Sequence, residues 1–175
     1  MEIRILEKEE QQHIYDDVYR MLELADNEFV PPLSSRSSST QRDFLENTKN
    51  RDGIRKYFEQ LKNQRFAVAL EDGVLIAFVS YKENHSCVEI SQKELPNIYI
   101  STLIVSPNAR GKGVTKALYS RIFSEYETVN VFTRTWSTNI AHIKILEKYG
   151  FEVVKVLEDD RGNGIDTIYF KKARK

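Results

Sequence analysis

L-I-V-S-P-N-A-R-G-K-G-V-T-K-A-L, residues 103–118, is the stretch from which the fold can be read. Its first half is apolar and β-branched, as a buried strand requires, and Ser106-Pro107 stops that strand because proline cannot extend a ladder. After Gly113, the apolar residues Val114, Ala117, Leu118 and Ile122 fall at helical spacing. Between strand and helix lies a short basic loop with two glycines. The first turn of a helix offers N–H groups without intrahelical acceptors and the positive end of the helix dipole, which together suit a phosphate or pyrophosphate. Gly111 and Gly113 allow the backbone close to such an anion, and Arg110 and Lys112 add positive charge. The loop lacks the Gly-Lys-Ser/Thr of a nucleotide-binding P-loop and completes no G-x-G-x-x-G fingerprint. Taken alone, it is also compatible with a plain strand-to-helix turn.

Working outward, Ile3 and Ile5 alternate with polar neighbours and predict a strand over 2–6. Ile14, Val18, Leu22 and Ala25 share one helical face, and that helix fails at Asn27 before Pro31-Pro32. A polar loop, L-S-S-R-S-S-S-T at 33–40, leads to a helical pattern over 41–62, in which Gly53 reads as a weak point. R-F-A-V-A-L and V-L-I-A-F-V-S-Y flank Asp72-Gly73 and predict a tight hairpin. N-I-Y-I-S-T-L-I-V is the strand that feeds the glycine loop. V-N-V-F-T-R-T-W predicts another strand, followed by a helix over 138–149 that stops at Gly150. F-E-V-V-K-V-L and G-I-D-T-I-Y-F close the chain as a hairpin around D-D-R-G-N. The pattern is a β-rich middle followed by β-α-β-α-β-β, within one mixed α/β domain spanning 1–175.

Composition narrows the function. The 175 residues carry 26 basic and 26 acidic side chains, a balance without the electrostatic footprint of a nucleic-acid partner. No apolar run approaches the roughly 20 residues that span a bilayer, and the charged N-terminus has no signal-peptide core. The single cysteine, Cys87, can form no internal disulfide, and no cysteine partner completes a metal site. These features imply a cytoplasmic protein with no metal, and they leave open whether it pairs with a second copy.

The glycine loop resembles the acetyl-CoA loop of the GNAT (Gcn5-related) N-acetyltransferases, Arg/Gln-x-x-Gly-x-Gly/Ala after a valine-ended strand. Arg110 and Gly113 match, and Thr115 replaces the last small residue. A second segment, N-I-A-H-I-K-I-L-E-K-Y-G-F at 139–151, resembles Asn-x-x-Ala-x-x-x-Tyr-Glu-Lys-x-Gly-Phe. Asn139, Glu147, Lys148, Gly150 and Phe151 match, whereas His142 replaces the alanine and Leu146 the tyrosine. The two segments stand in the family order with one strand between them. The resemblance covers 65–171 well, as an acetyl-CoA-binding core, and 1–64 loosely, as a variable acceptor-side part.

The resemblance implies a mixed, mostly antiparallel, splayed β-sheet flanked by helices, with acetyl-CoA as co-substrate in the gap. Backbone groups of Leu103, Ile104 and Val105 would pair with the pantetheine arm. Amides of Arg110, Gly111, Lys112, Gly113, Val114 and Thr115 would hold the pyrophosphate, and Asn139 would also contact the cofactor. The expected activity is direct acetyl transfer to the primary amine of a small metabolite, such as an amino sugar or amino acid derivative. A peptide or protein amine, or an acyl-CoA-binding module impaired in catalysis, is the alternative. Tyr99 occupies a position where many members carry a carboxylate base, and as a strand residue it equally reads as a half-buried aromatic. Glu83 and His85 are alternative bases, with an exposed loop pair as the plain reading. Arg134 and Trp136 share a strand face by period two and are candidates for acceptor contact, Trp136 also for the core. Arg36 and Arg42, among serines and a threonine, could bind an anionic acceptor or simply sit in a capped, solvated loop. Nothing in the sequence names the acceptor or the acyl chain.

Overall fold

The computed structural model describes residues 1–36 and 51–174. Among them are seven strands and four α-helices: β1 Glu2–Ile5, α1 Tyr15–Ala25, α2 Arg51–Leu61, β2 Arg65–Glu71, β3 Val74–Glu83, β4 Asn97–Val105, α3 Val114–Glu125, β5 Asn130–Trp136, α4 Ile140–Lys148, β6 Glu152–Leu157 and β7 Thr167–Lys172. The strands form a mixed sheet in the order β1-β2-β3-β4-β5-β7-β6. The pairs β1/β2, β2/β3, β5/β7 and β6/β7 are antiparallel, and β4/β5 is parallel. No helix among the described residues is long and apolar enough to cross a membrane. Of the helical pattern expected over 41–62, the part over 41–50 lies outside the described residues, as does Arg42.

The chain divides into two compact units, residues 1–81 with 102–125, and residues 82–101 with 126–175. In the first, α1 buries Val18, Met21, Leu22 and Ala25 along one face. They join Leu33, Tyr57, Phe58, Leu61, Phe66, Phe78 and Ile104 in one core. Burial of each such large side chain contributes roughly 1.5–3 kcal/mol. Tyr57 keeps its polar tip satisfied at Thr102 Oγ1, 2.7 Å away. The Asp72-Gly73 turn is the expected two-residue hairpin, with φ of 51° and 80° and Glu71 opposite Val74.

Gly53 is not a weak point. A Cβ there would lie 1.8 Å from the Ser34 carbonyl oxygen, so only glycine lets α2 approach the 3-10 turn Leu33–Ser35. That turn is itself tied down, because the Asp26 carboxylate accepts from both the Ser34 N–H and its hydroxyl, each at 2.8 Å.

In the second unit, β4 pairs with β5 from Asn97↔Asn130 to Ile100↔Thr133. Ile90, Tyr99, Phe132, Leu157 and Tyr169 make its core. The Asn97 side chain fastens the loop before β4: its Oδ1 accepts from the His85 N–H at 2.9 Å and its Nδ2 donates to the His85 carbonyl at 3.0 Å. The closing hairpin is shorter on its return side than its sequence pattern predicts. Residues 161–165 are consumed by turns, with the Arg161 N–H donating to the Ile165 carbonyl at 3.0 Å.

Candidate active site

The glycine loop lies wholly in the first unit. Pro107 opens a 3-10 turn, Pro107–Ala109, that ends β4. Arg110 then folds back: its Nε donates to the Val105 carbonyl at 3.1 Å, and its Nη2 bonds both Glu28 oxygens at 2.8 and 2.7 Å. The sequence suggests that Arg110 adds charge for an anion. In the structure that charge is balanced by Glu28, and the guanidinium acts as a clamp between the loop, the end of β4 and the segment after α1. A partner 82 residues away leaves no local signal, so sequence reasoning missed Glu28.

Gly111 and Gly113 have φ of 73° and 76°, and a Cβ at either would meet nothing within 4 Å. Both glycines are therefore used for backbone conformation, and the space beside them is open. The ladder of α3 begins with the Ala117 N–H donating to the Gly113 carbonyl at 3.0 Å. Amides nearer the loop have no intrahelical acceptor, and no acidic residue stands in the first turn. Open glycine backbone at the start of a 12-residue helix fits a pyrophosphate. Leu103 and Val105 are half-buried and Ile104 is buried, so this end of β4 is held firmly.

These features surround the motifs that a family comparison recognises. A model of the acetyltransferase (GNAT) family matches residues 18–151, which include the glycine loop and α4. The chain belongs to the GNAT acetyltransferase family. A search of curated proteins returned no significant match. Among solved structures, a ribosomal-protein-alanine N-acetyltransferase from Brucella melitensis is similar at TM-score 0.65 and 16% identity, covering 99% of each chain. An aminoglycoside 6'-acetyltransferase type Ii is similar at TM-score 0.68 and 15% identity, over 99% of this chain and 97% of that one. The protein yncA from Salmonella typhimurium, described as an acetyltransferase and solved with its cofactor acetyl-CoA, has TM-score 0.65 and 19% identity, over 99% of this chain and 94% of that one. These neighbours share the mixed α/β fold.

The other site candidates of this GNAT chain fall mainly in its second unit. Tyr99 is 1% exposed, deeper than its half-buried reading. Its hydroxyl has no hydrogen-bond partner among the described residues, and burial pushes its pKa up, against the pull of Arg134. The His85 ring lies 4.7 Å from that of Tyr99. Burial, then the charges of Lys82 and Arg134, lower the His85 pKa to about 4, and its Nε2 is buried without a hydrogen-bond partner among the described residues. His85 is therefore not an exposed loop residue. Glu83 is exposed and accepts from the Tyr126 hydroxyl at 2.6 Å, so the two candidate bases stand in different surroundings.

Arg134 donates from Nη1 to the Tyr169 hydroxyl at 3.1 Å. Trp136 lies under the guanidinium of Arg161, 5.6 Å from its centroid. Arg161 is 8% exposed and bonds Thr167 Oγ1 at 2.8 Å. The sequence placed it in a turn and missed it. Asn139 caps α4: its Oδ1 accepts from the His142 N–H at 3.4 Å, and its Nδ2 donates to Thr135 Oγ1 at 3.1 Å. A capping role thus accounts for both ends of its amide. Arg36, 6% exposed, donates to the carbonyls of Pro31 and Val30 at 3.0 and 3.3 Å and lies over Phe29. It is a strut of the loop after α1 rather than a solvated arginine. Leu146 is fully buried and can donate no proton.

Proposed function

We propose that this chain is an acetyl-CoA-dependent N-acetyltransferase that acts on the primary amine of a small metabolite by direct transfer. The open backbone at Gly111 and Gly113, at the start of α3 in a chain of this family, is the observation that carries the reading. Acetyl-CoA supplies the activated acetyl group; the amides from Gly111 to Thr115 hold its pyrophosphate, that of Arg110 being spent on the Pro107 carbonyl at 3.3 Å, and the backbone of Leu103–Val105 aligns the arm. In the transfer, an N–C bond forms as the thioester C–S bond breaks, and the thiolate takes up a proton.

The side chains on offer constrain how the amine reaches its reactive state. An amine nitrogen must be unprotonated to attack. Passing the proton of an ammonium titrating near ~10 to His85, titrating at about 4, is steeply uphill. Tyr99, with its pKa pushed up, stays protonated. Neither Tyr99 nor His85 therefore takes the proton of the ammonium, which leaves solvent or the exposed Glu83, and the enzyme works by orienting a neutral amine, a contribution that survives the loss of a dedicated base. Burial raises the Cys87 thiol pKa, which disfavours an acetyl-cysteine route and favours direct attack.

Fold alone does not name the acceptor, since the similar structures include one described for a ribosomal-protein alanine and one for aminoglycosides. The test is release of free CoA thiol from acetyl-CoA with a panel of small amines and short peptides. Turnover of small amines with product mass increased by one acetyl group is expected. Tight acetyl-CoA binding with no thiol release from any acceptor would instead establish a binding module.

A further inference from the structure

One face of the second unit gathers polar groups that the reading above does not use. Tyr99 stands opposite Phe132 across β4/β5, Arg134 is two residues further on that same face of β5, and Arg134 stands opposite Tyr169 across β5/β7. His85 packs on Tyr99 at 4.7 Å between ring centroids. Two atoms of this cluster, the Tyr99 hydroxyl and His85 Nε2, are buried and have no hydrogen-bond partner among the described residues. A buried polar atom left without a partner loses its hydration for no return, so phenylalanine would serve a purely structural core better at this position. The cations acting on Tyr99 are Arg134 and Arg161, alongside the acidic Tyr169 hydroxyl and Cys87 thiol, and those acting on His85 are Lys82 and Arg134. The carboxylate of Glu89 approaches the cluster at the Tyr169 hydroxyl, 3.5 Å away.

We propose that this face, built on Tyr99, His85 and Arg134, binds an anionic group of the acceptor, so that the amine acetylated belongs to a molecule that also carries a carboxylate or a phosphate. The inference rests on the N-acetyltransferase reading and narrows its substrate class. A carboxylate or phosphate accepts from the Tyr99 hydroxyl and from a guanidinium, which matches its oxygens with a planar fork. A cationic group would meet Lys82, Arg134 and Arg161, with Glu89 as the carboxylate beside them. A purely apolar acceptor would leave the hydroxyl and the imidazole nitrogen unsatisfied.

Two measurements test this. In the first, thiol release is compared for matched acceptors: alanine against alaninamide, glucosamine 6-phosphate against glucosamine, and spermidine as a polycation. At least one anionic member should be preferred tenfold or more in kcat/KM, and the pair that responds separates carboxylate from phosphate recognition. Arg134→Gln should raise KM for that acceptor tenfold or more, leave KM for acetyl-CoA unchanged and erase the preference.

In the second, inorganic phosphate is titrated into full-length protein labelled at histidine with nitrogen-15, with the His85 resonance assigned from His85→Gln. A saturable shift is expected, weakened tenfold or more in Tyr99→Phe, which removes only the partnerless oxygen and keeps the core packing. An unmoved His85 signal, or phosphate binding unaffected by Tyr99→Phe, overturns the proposal. So does turnover confined to neutral or cationic acceptors, which would leave the N-acetyltransferase reading standing. No thiol release from any amine, together with a phosphate-dependent shift, would remove that reading and keep the anion site.

Discussion

Replacing Gly113 with alanine separates what the glycine does for the fold from what it does for the cofactor. Its φ is +76°, and a Cβ would meet nothing within 4 Å. The folding cost is therefore conformational strain alone, about 1–2 kcal/mol for an L residue in the left-handed region. Gly73, at the hairpin between β2 and β3, has φ of +80° and the same open surroundings, so Gly73→Ala should cost the same. The two variants differ in binding. If the loop holds the pyrophosphate as proposed, the added methyl at Gly113 would occupy open space through which a phosphate oxygen reaches the backbone. Losing one charge-assisted bond, about 1.5–3 kcal/mol, would lower acetyl-CoA affinity by about tenfold to somewhat over a hundredfold. At Gly73 affinity should not change. Urea denaturation measures the first quantity and calorimetric titration with acetyl-CoA the second. If Gly113→Ala binds acetyl-CoA as tightly as Gly73→Ala, the glycine loop does not hold the pyrophosphate and the cofactor assignment fails.

Gly53→Ala gains about 1 kcal/mol of helix propensity, yet its Cβ would fall 1.8 Å from the Ser34 carbonyl oxygen. Net destabilisation of about 1–3 kcal/mol is expected from overpacking, and a denaturant midpoint at or above the parent's would refute the close approach. Arg110→Gln and Glu28→Gln remove the two halves of one exposed ion pair, worth about 0–1 kcal/mol to folding. Arg110→Gln should lower acetyl-CoA affinity less than Gly113→Ala and leave its salt dependence nearly unchanged, because the charge is already balanced; a large fall in the salt slope would show that Arg110 faces the anion. His85 titrates at about 4 folded against 6.5 unfolded. Its contribution to stability is thus full above about pH 6.5 and is lost as pH falls towards 4, since the unfolded chain binds the proton first. Thermal midpoints across that window should fall less steeply in His85→Gln, and an unchanged slope would show that His85 is not held neutral.

Much of the fold is legible in the sequence because its signals are local. The Asp72-Gly73 turn, the stop at Ser106-Pro107 and the helix after Gly113 each follow from the backbone preferences of a few adjacent residues. The same holds for the glycine loop, since positive φ at Gly111 and Gly113 is a property of the residue type and its place before a helix. Gly53 shows where that logic breaks. Its helical context says that glycine weakens α2, and only packing reveals the Ser34 carbonyl occupying the space of a side chain.

Composition and motifs alone determined a mixed α/β chain with a glycine-bearing strand-to-helix loop, and its motifs pointed to the acetyltransferase family to which it belongs. The roles of individual polar side chains were decided by tertiary structure. Arg110 and Arg36 look alike in sequence as loop arginines open to an anion. One is neutralised by Glu28, 82 residues distant, and the other bonds carbonyls of its own loop. His85 and Glu83 stand two residues apart and read as one exposed pair, yet burial against Tyr99 holds the imidazole neutral, its Nε2 without a hydrogen-bond partner among the described residues, while the glutamate stays in solvent. Arg161 reads as part of a turn and lies buried beside Trp136. Charge and hydrogen-bonding capacity act through space and depend on dielectric, so what such a residue does is set by neighbours that the chain brings near only when it folds.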